Sequence, residues 1–176
     1  MTDSRGTSIN YGTTEAIRDL FGSVIRPGRK VLDYGAGRFA RNADWLRSRG
    51  IEVYAYDPFN GRDVLGWGLG EVTTRPPEGH FDVGFTSYVL NVVSEADEAE
   101  ILARVSALCA RHYHVVRNRD LLTAAARAFP AEKSDRLPDI CRQGFETRRG
   151  FQRLPHLEDR GLRLLRTTTK FKVYVA

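Results

Sequence analysis

The sequence predicts an α/β protein: a doubly wound, mostly parallel sheet flanked by helices, ending in a C-terminal antiparallel hairpin. Three observations carry this. Stretches with strand periodicity alternate with helical ones along most of the chain, the pattern of successive βαβ units. A small-residue turn, Gly35-Ala36-Gly37, falls between the first strand and the helix that follows it. Two short apolar runs, Leu162–Leu165 and Phe171–Val175, close the chain across Thr167-Thr168-Thr169, the arrangement of a hairpin.

Residues 1–11 are expected to be a flexible arm, and 12–176 a single domain. Ile17, Leu20, Phe21 and Val24 share one helical face, so a first helix is expected over 13–25, stopped by Arg26-Pro27-Gly28. Lys30–Asp33 is the first strand. Phe39, Ala43 and Leu46 give the next helix its inner face, and Gly50 ends it. Ile51–Tyr56 is the second strand, closed by Asp57-Pro58. Four glycines over 59–70 mark a loop, with a brief strand expected at 71–74. Phe81, Val83 and Phe85 alternate along a strand to Thr86. A long helix over 95–111, a strand at 113–116 and a helix bearing Leu121, Leu122, Ala125 and Phe129 complete the alternation. Residues 130–160 show no clear period.

Composition bounds the function. With 176 residues, 41% hydrophobic and 28% charged, the chain has the make-up of one globular domain rather than a disordered or fibrous one. No apolar run approaches membrane-spanning length, and the polar start lacks a signal-peptide core, so a cytoplasmic protein is expected. Cys109 and Cys141 are too few for a disulfide scaffold, and the four histidines lack metal-ligand spacing, so no metal site is expected. Charge is uneven: residues 1–110 carry a balance of −3 and residues 111–176 one of +8. A basic C-terminal third suits an anionic partner, with DNA or RNA the first candidate and a solvated basic surface the alternative.

The chemistry concentrates at the turn. Val31-Leu32-Asp33-Tyr34-Gly35-Ala36-Gly37 leads from strand to helix, where backbone can approach a bound nucleoside closely. Asp57, twenty residues beyond Gly37, closes the second strand and is placed to accept from both hydroxyls of a ribose. Gly35-x-Gly37-x-x-Ala40 fits the dinucleotide fingerprint, which keeps an NAD(P)-dependent oxidoreductase in view. Asp33 argues against it. A carboxylate at that strand position needs a partner, and the ammonium of an amino-acid-bearing ligand provides one.

VLDYGAGRFARNADWLRSRGIEVYAYDP, followed by FDVGFTSYVLNVV, resembles the class I S-adenosylmethionine-dependent methyltransferase superfamily over roughly residues 12–118. The DYG-x-G and YVLNVV stretches are more narrowly similar to methyltransferases associated with DNA phosphorothioation and with phage genomes. The resemblance implies S-adenosylmethionine as cofactor. Asp33, Tyr34, Gly35, Ala36 and Gly37 would line its methionine end, Asp57 its ribose, and Pro58 and Phe59 its adenine. It also implies that Tyr11 closes over the cofactor from the N-terminal side, with core packing the alternative. Phe39 stands where the family often has a third glycine, and a position inside the helix–sheet core would accommodate it. Val72 and Thr73 occupy the region of the usual adenine-binding acid, so backbone and packing are expected to hold the base.

On the acceptor side, Thr86-Ser87-Tyr88-Val89-Leu90-Asn91 ends the fourth strand of that fold. Ser87 is assigned to the cofactor, and Tyr88 and Asn91 to catalysis, with helix capping the alternative for Asn91. No D/N-P-P-Y/F motif and no Pro-Cys nucleophile is present, which disfavours amino-group and carbon-5 DNA methylation of the usual kinds. Trp67, in a Gly-rich loop, is a candidate lid for a planar ligand, or else a docked aromatic. Arg148, Arg149 and Arg153, with Arg142 and the rings of Phe145 and Phe151, have the composition of a polyanion-binding element. A methyltransferase is thus expected, acting on a nucleic acid or a small metabolite. A catalytically silent cofactor-binding module is the alternative from another class.

Overall fold

The structure is a computed structural model and describes residues 12–148 and 150–176. Tyr11 and Arg149 lie outside the described residues. The elements are α1 (Glu15–Leu20), β1 (Lys30–Tyr34), α2 (Arg41–Arg47), β2 (Glu52–Tyr56), β3 (Phe81–Ser87), α3 (Glu95–Leu108), β4 (Cys109–Arg117), α4 (Arg119–Ala128), α5 (Leu137–Gln143), β5 (Phe145–Thr147), β6 (Gly150–Gln152), a 3-10 turn (Leu157–Arg160), β7 (Arg163–Thr167) and β8 (Phe171–Val175).

The main sheet has the order β2-β1-β3-β4-β8-β7. β2, β1, β3 and β4 are parallel, while β8 and β7 run antiparallel. The chain winds outward from β1 to β2 and then returns to the other side for β3. The strand order therefore reverses between β1 and β3, where ligands of such sheets bind. Alternation along β1 sorts the two faces. Val31 joins Ile17, Ala43 and Leu46 under α1 and α2. Leu32 and Tyr34 join Ile101 and Val105 under α3. A smaller cluster of Leu121, Ala125, Cys141, Phe145 and Leu154 unites α4, α5 and the β5–β6 hairpin. Both cysteines are buried free thiols. No helix among the described residues is long and apolar enough to cross a membrane.

Several expectations are corrected. The first helix ends at Leu20 because Gly22 takes a φ of 84° and its N–H turns to the Ile25 carbonyl. The strand expected at 71–74 shrinks to isolated bridges at Thr73, which ties Tyr56 and Arg62; Pro76 and Pro77 follow and bring no N–H to extend pairing. α3 stops at Leu108, and Cys109 opens a longer β4 in extended backbone. Phe39 is not in the core. Ala40, at φ 48°, starts α2 one residue beyond it, and the ring is 40% exposed.

Candidate functional site

The turn after β1 is bound to the end of β2. Gly35 and Ala36 donate their N–H groups to the Tyr56 carbonyl at 2.7 and 3.0 Å. Gly35 and Gly37 have φ of 83° and 69°, which only glycine adopts without strain. A Cβ on Gly35 would lie 2.3 Å from Val89 Cγ2, so the turn also packs against the segment after β3. Gly37 donates to Asp57 Oδ2 at 3.0 Å. The other oxygen of Asp57 accepts the N–H groups of Phe59 and Asn60 at 2.9 and 2.8 Å, an Asx turn that shapes the loop beyond β2.

Two hollows meet at Gly35, Gly37 and Ser87. The larger is walled by Tyr34, Phe59, Val89, Val92 and Ile101, with Asp57 and Asn60 on one side and Tyr88 on another. The smaller is lined by Ala36, Arg38, Phe39, Arg41 and Asn42. One is mostly apolar and bounded by an acid; the other is polar and cationic at its rim. Asn42 closes the smaller one by accepting from the Thr14 N–H at 2.9 Å, and Ser87 Oγ lies 3.4 Å from Thr14 Oγ1. The start of α1 is thereby fixed to the floor.

Asp33 lies beneath the turn and lines neither hollow. It is fully buried, and its two oxygens have no hydrogen-bond partner among the described residues. Burial pushes its carboxyl up to about 8, against the pull of the Arg47 guanidinium, so it holds a proton near neutral pH.

The acceptor-side residues separate into two groups. Tyr88, at φ 64°, donates its N–H to the Val115 carbonyl and faces the larger hollow. Burial raises its phenol above the ordinary tyrosine range. Asn91 is fully buried and spent on structure. Its amide donates to the Arg153 carbonyl at 2.8 Å and its oxygen accepts the Arg117 N–H at 2.9 Å. It is neither free for a substrate nor the cap of α3, a role taken by Ser94.

Two other expectations fall. Trp67 packs against Tyr54 and Phe81, and Lys30 Nζ sits 5.2 Å from its ring. Lys30 and Phe81 open β1 and β3, so Trp67 belongs to the amino edge of the sheet, opposite the cleft, and is no lid. Arg153 does not join a basic surface. Its guanidinium is buried against Glu98 at 2.8 Å, and Arg142 pairs with Asp159, leaving Arg148 exposed. His112 and His114 bond to each other at 2.8 Å inside the sheet, and His114 reaches Thr86 Oγ1 at 2.9 Å; burial pushes His114 down to about 3. Among the described residues, no group of three metal-ligating side chains converges.

Sequence reasoning missed Asn60, Thr14 and Asn42. Only Asn60 carried a signal, since Asp57-Pro58-Phe59-Asn60-Gly61 has the composition of an Asx turn.

No protein-family model and no curated protein matches the sequence. Solved structures do match in fold. Magnesium protoporphyrin IX methyltransferase (ChlM) from Synechocystis PCC 6803, with S-adenosylhomocysteine bound, superposes with a TM-score of 0.60 at 17% identity, over 91% of this chain and 78% of that one. The DhpI–S-adenosylhomocysteine complex gives 0.58 at 13% identity, over 91% and 80%. A Rhodobacter sphaeroides protein named as a candidate zinc-dependent alcohol dehydrogenase gives 0.58 at 15%, over 99% and 98%. The fold is the Rossmann-like fold of S-adenosylmethionine-dependent methyltransferases, mostly parallel with a C-terminal antiparallel pair.

Proposed function

We propose that this chain binds S-adenosylmethionine in the cleft between β1 and β3 and transfers its methyl group. The observation that carries the reading is the pairing of a left-handed Gly35–Gly37 turn with the Asp57 carboxylate beside an apolar hollow. That combination suits a nucleoside: glycine backbone below, an acid for the sugar, and an apolar wall that includes Phe59 and Ile101 for a planar base. The smaller hollow, rimmed by Arg38 and Arg41, suits the carboxylate of an amino-acid tail. Asp33, buried beneath the turn and without a hydrogen-bond partner among the described residues, holds a proton that a cation bound nearby would drive off. Known structures with this fold hold S-adenosylhomocysteine, which adds support.

When bound, S-adenosylmethionine supplies an electrophilic methyl on sulfur, and the protein's task is chiefly in-line placement of the acceptor. Ser87 lines both hollows, and Tyr88 lines the larger one beside it. Tyr88 offers a neutral phenol, so it positions by donating or accepting a hydrogen bond rather than as a phenolate. Asn91 acts indirectly, by holding the β6 end of the hairpin region against β4.

A silent binding module is the second reading, favoured by the commitment of Asn91 to structure. The nucleic-acid acceptor suggested by charge keeps Arg148 but loses Arg153 to the interior. Incubation with methyl-labelled donor and DNA, RNA or a small-molecule extract separates these readings. Label in one acceptor pool supports transfer and names its class. Cofactor binding with no label in any pool supports the silent module.

A further inference from the structure

The Asp57 carboxylate, the proposed ribose acceptor, is already surrounded by donors. Besides the backbone N–H groups of Gly37, Phe59 and Asn60, it accepts from the Asn60 side-chain amide, whose Nδ2 lies 3.3 Å from both Oδ1 and Oδ2. A carboxylate offers about four lone-pair sites; the three backbone bonds take three of them and the Asn60 amide covers what remains, so no site is free for a sugar hydroxyl. The backbone bonds are short, at 2.8 to 3.0 Å, and belong to turns that position the loop. The side-chain contacts are the long ones, and Asn60 is only half-buried and lines the larger hollow. It is the partner that can leave.

Its geometry is informative. One amide nitrogen stands equidistant from the two oxygens of the carboxylate, where the hydroxyl donor of a ribose would sit. An amide turned the other way would set oxygen against oxygen. We infer that Asn60 is a built-in stand-in for the ribose hydroxyls, displaced only by nucleosides whose sugar carries them. This rests on the reading of the cleft as a nucleoside site. A ligand lacking the diol leaves Asn60 on Asp57 and gains nothing from the acid. A ribonucleoside replaces the two long amide contacts with a shorter hydroxyl–carboxylate bond, and the released amide stays within the hollow that holds the base.

The test is a calorimetric titration of the wild-type and Asn60→Ala proteins with S-adenosylhomocysteine, adenosine and 2′,3′-dideoxyadenosine. Removing the stand-in should widen the preference for adenosine over the dideoxy compound by about three- to tenfold, chiefly through tighter adenosine binding. A preference that is unchanged or narrower, with S-adenosylhomocysteine still binding, overturns the role of Asn60 alone. Failure of both proteins to bind S-adenosylhomocysteine and adenosine overturns the nucleoside reading itself. A second readout needs no variant. The Asn60 side-chain amide resonances of the wild-type protein should move on adenosine addition and stay in place with the dideoxy compound. Resonances that do not move while adenosine binds contradict the exchange.

Discussion

The backbone N–H of Gly37 donates to Asp57 Oδ2 across 3.0 Å, joining the turn after β1 to the last residue position before the loop beyond β2. Through this bond the acid and the glycine turn form one unit. Asp57 both shapes the wall of the cleft and offers the charge that a sugar would meet there.

The turn itself is testable at Gly35. Alanine there would force a left-handed backbone on a Cβ-bearing residue and drive that Cβ to 2.3 Å from Val89. Gly35→Ala should cost about 1–3 kcal/mol in urea unfolding and weaken S-adenosylhomocysteine binding. Val89→Ala in the same chain should restore part of the stability, because it removes the clash but not the backbone strain. No recovery would mean the contact with Val89 is unimportant.

Asp33 predicts a pH dependence of stability. Its folded value of about 8 lies above the ordinary carboxyl value of 3.8, so the native state keeps a proton that the unfolded chain releases. This contribution to stability is complete below pH 4 and is lost as the pH rises towards 8, at about 1.4 kcal/mol per unit. Buried His114, held down at about 3, acts in the opposite sense, losing stability as the pH falls from 6.5. Asp33→Asn should therefore flatten the alkaline-side decline and stabilise the protein at pH 8. An unaltered pH profile of the melting temperature would contradict the buried, protonated acid.

The arginines of the C-terminal third should divide sharply. Arg153→Ala leaves Glu98 buried with Arg160 at 3.3 Å as its remaining ion-pair partner among the described residues, and should cost about 3–5 kcal/mol. Arg148, exposed, should change stability by less than about 0.5 kcal/mol. Equal effects in chemical denaturation would refute the buried pairing.

Trp67 is expected to matter for folding alone. Trp67→Ala strips the ring from Tyr54, Phe81 and Lys30 and should destabilise by about 2–4 kcal/mol. Affinity for S-adenosylhomocysteine should stay the same, and a loss of affinity would return Trp67 to the cleft.

The legible parts of this molecule were those set by local period. β1, β3 and the glycine turn announce themselves because alternation and two close glycines are features of adjacent residues. Phe39 misled because helical spacing placed it in line with Ala43 and Leu46, whereas the left-handed Ala40 shifts the helix start past it. Arg153 misled for a different reason. Its partner Glu98 is 55 residues away, and composition reads an arginine near others as surface. β5 and β6 are three residues each, too short for a period to show. Of the candidate site, the turn, Asp57, Phe59, Ser87 and Tyr88 line the two hollows. Asp33 sits below them, Asn91 behind them and Trp67 at the far edge.

The central claim is that the β1–β3 cleft is an adenosyl site organised by Asp57. Titration of S-adenosylhomocysteine into the wild-type and Asp57→Ala proteins tests it most directly. The account predicts saturable binding to the wild type that weakens by about 1–3 kcal/mol in the variant. Absence of binding to the wild type, or equal affinity in a folded Asp57→Ala protein, would contradict it.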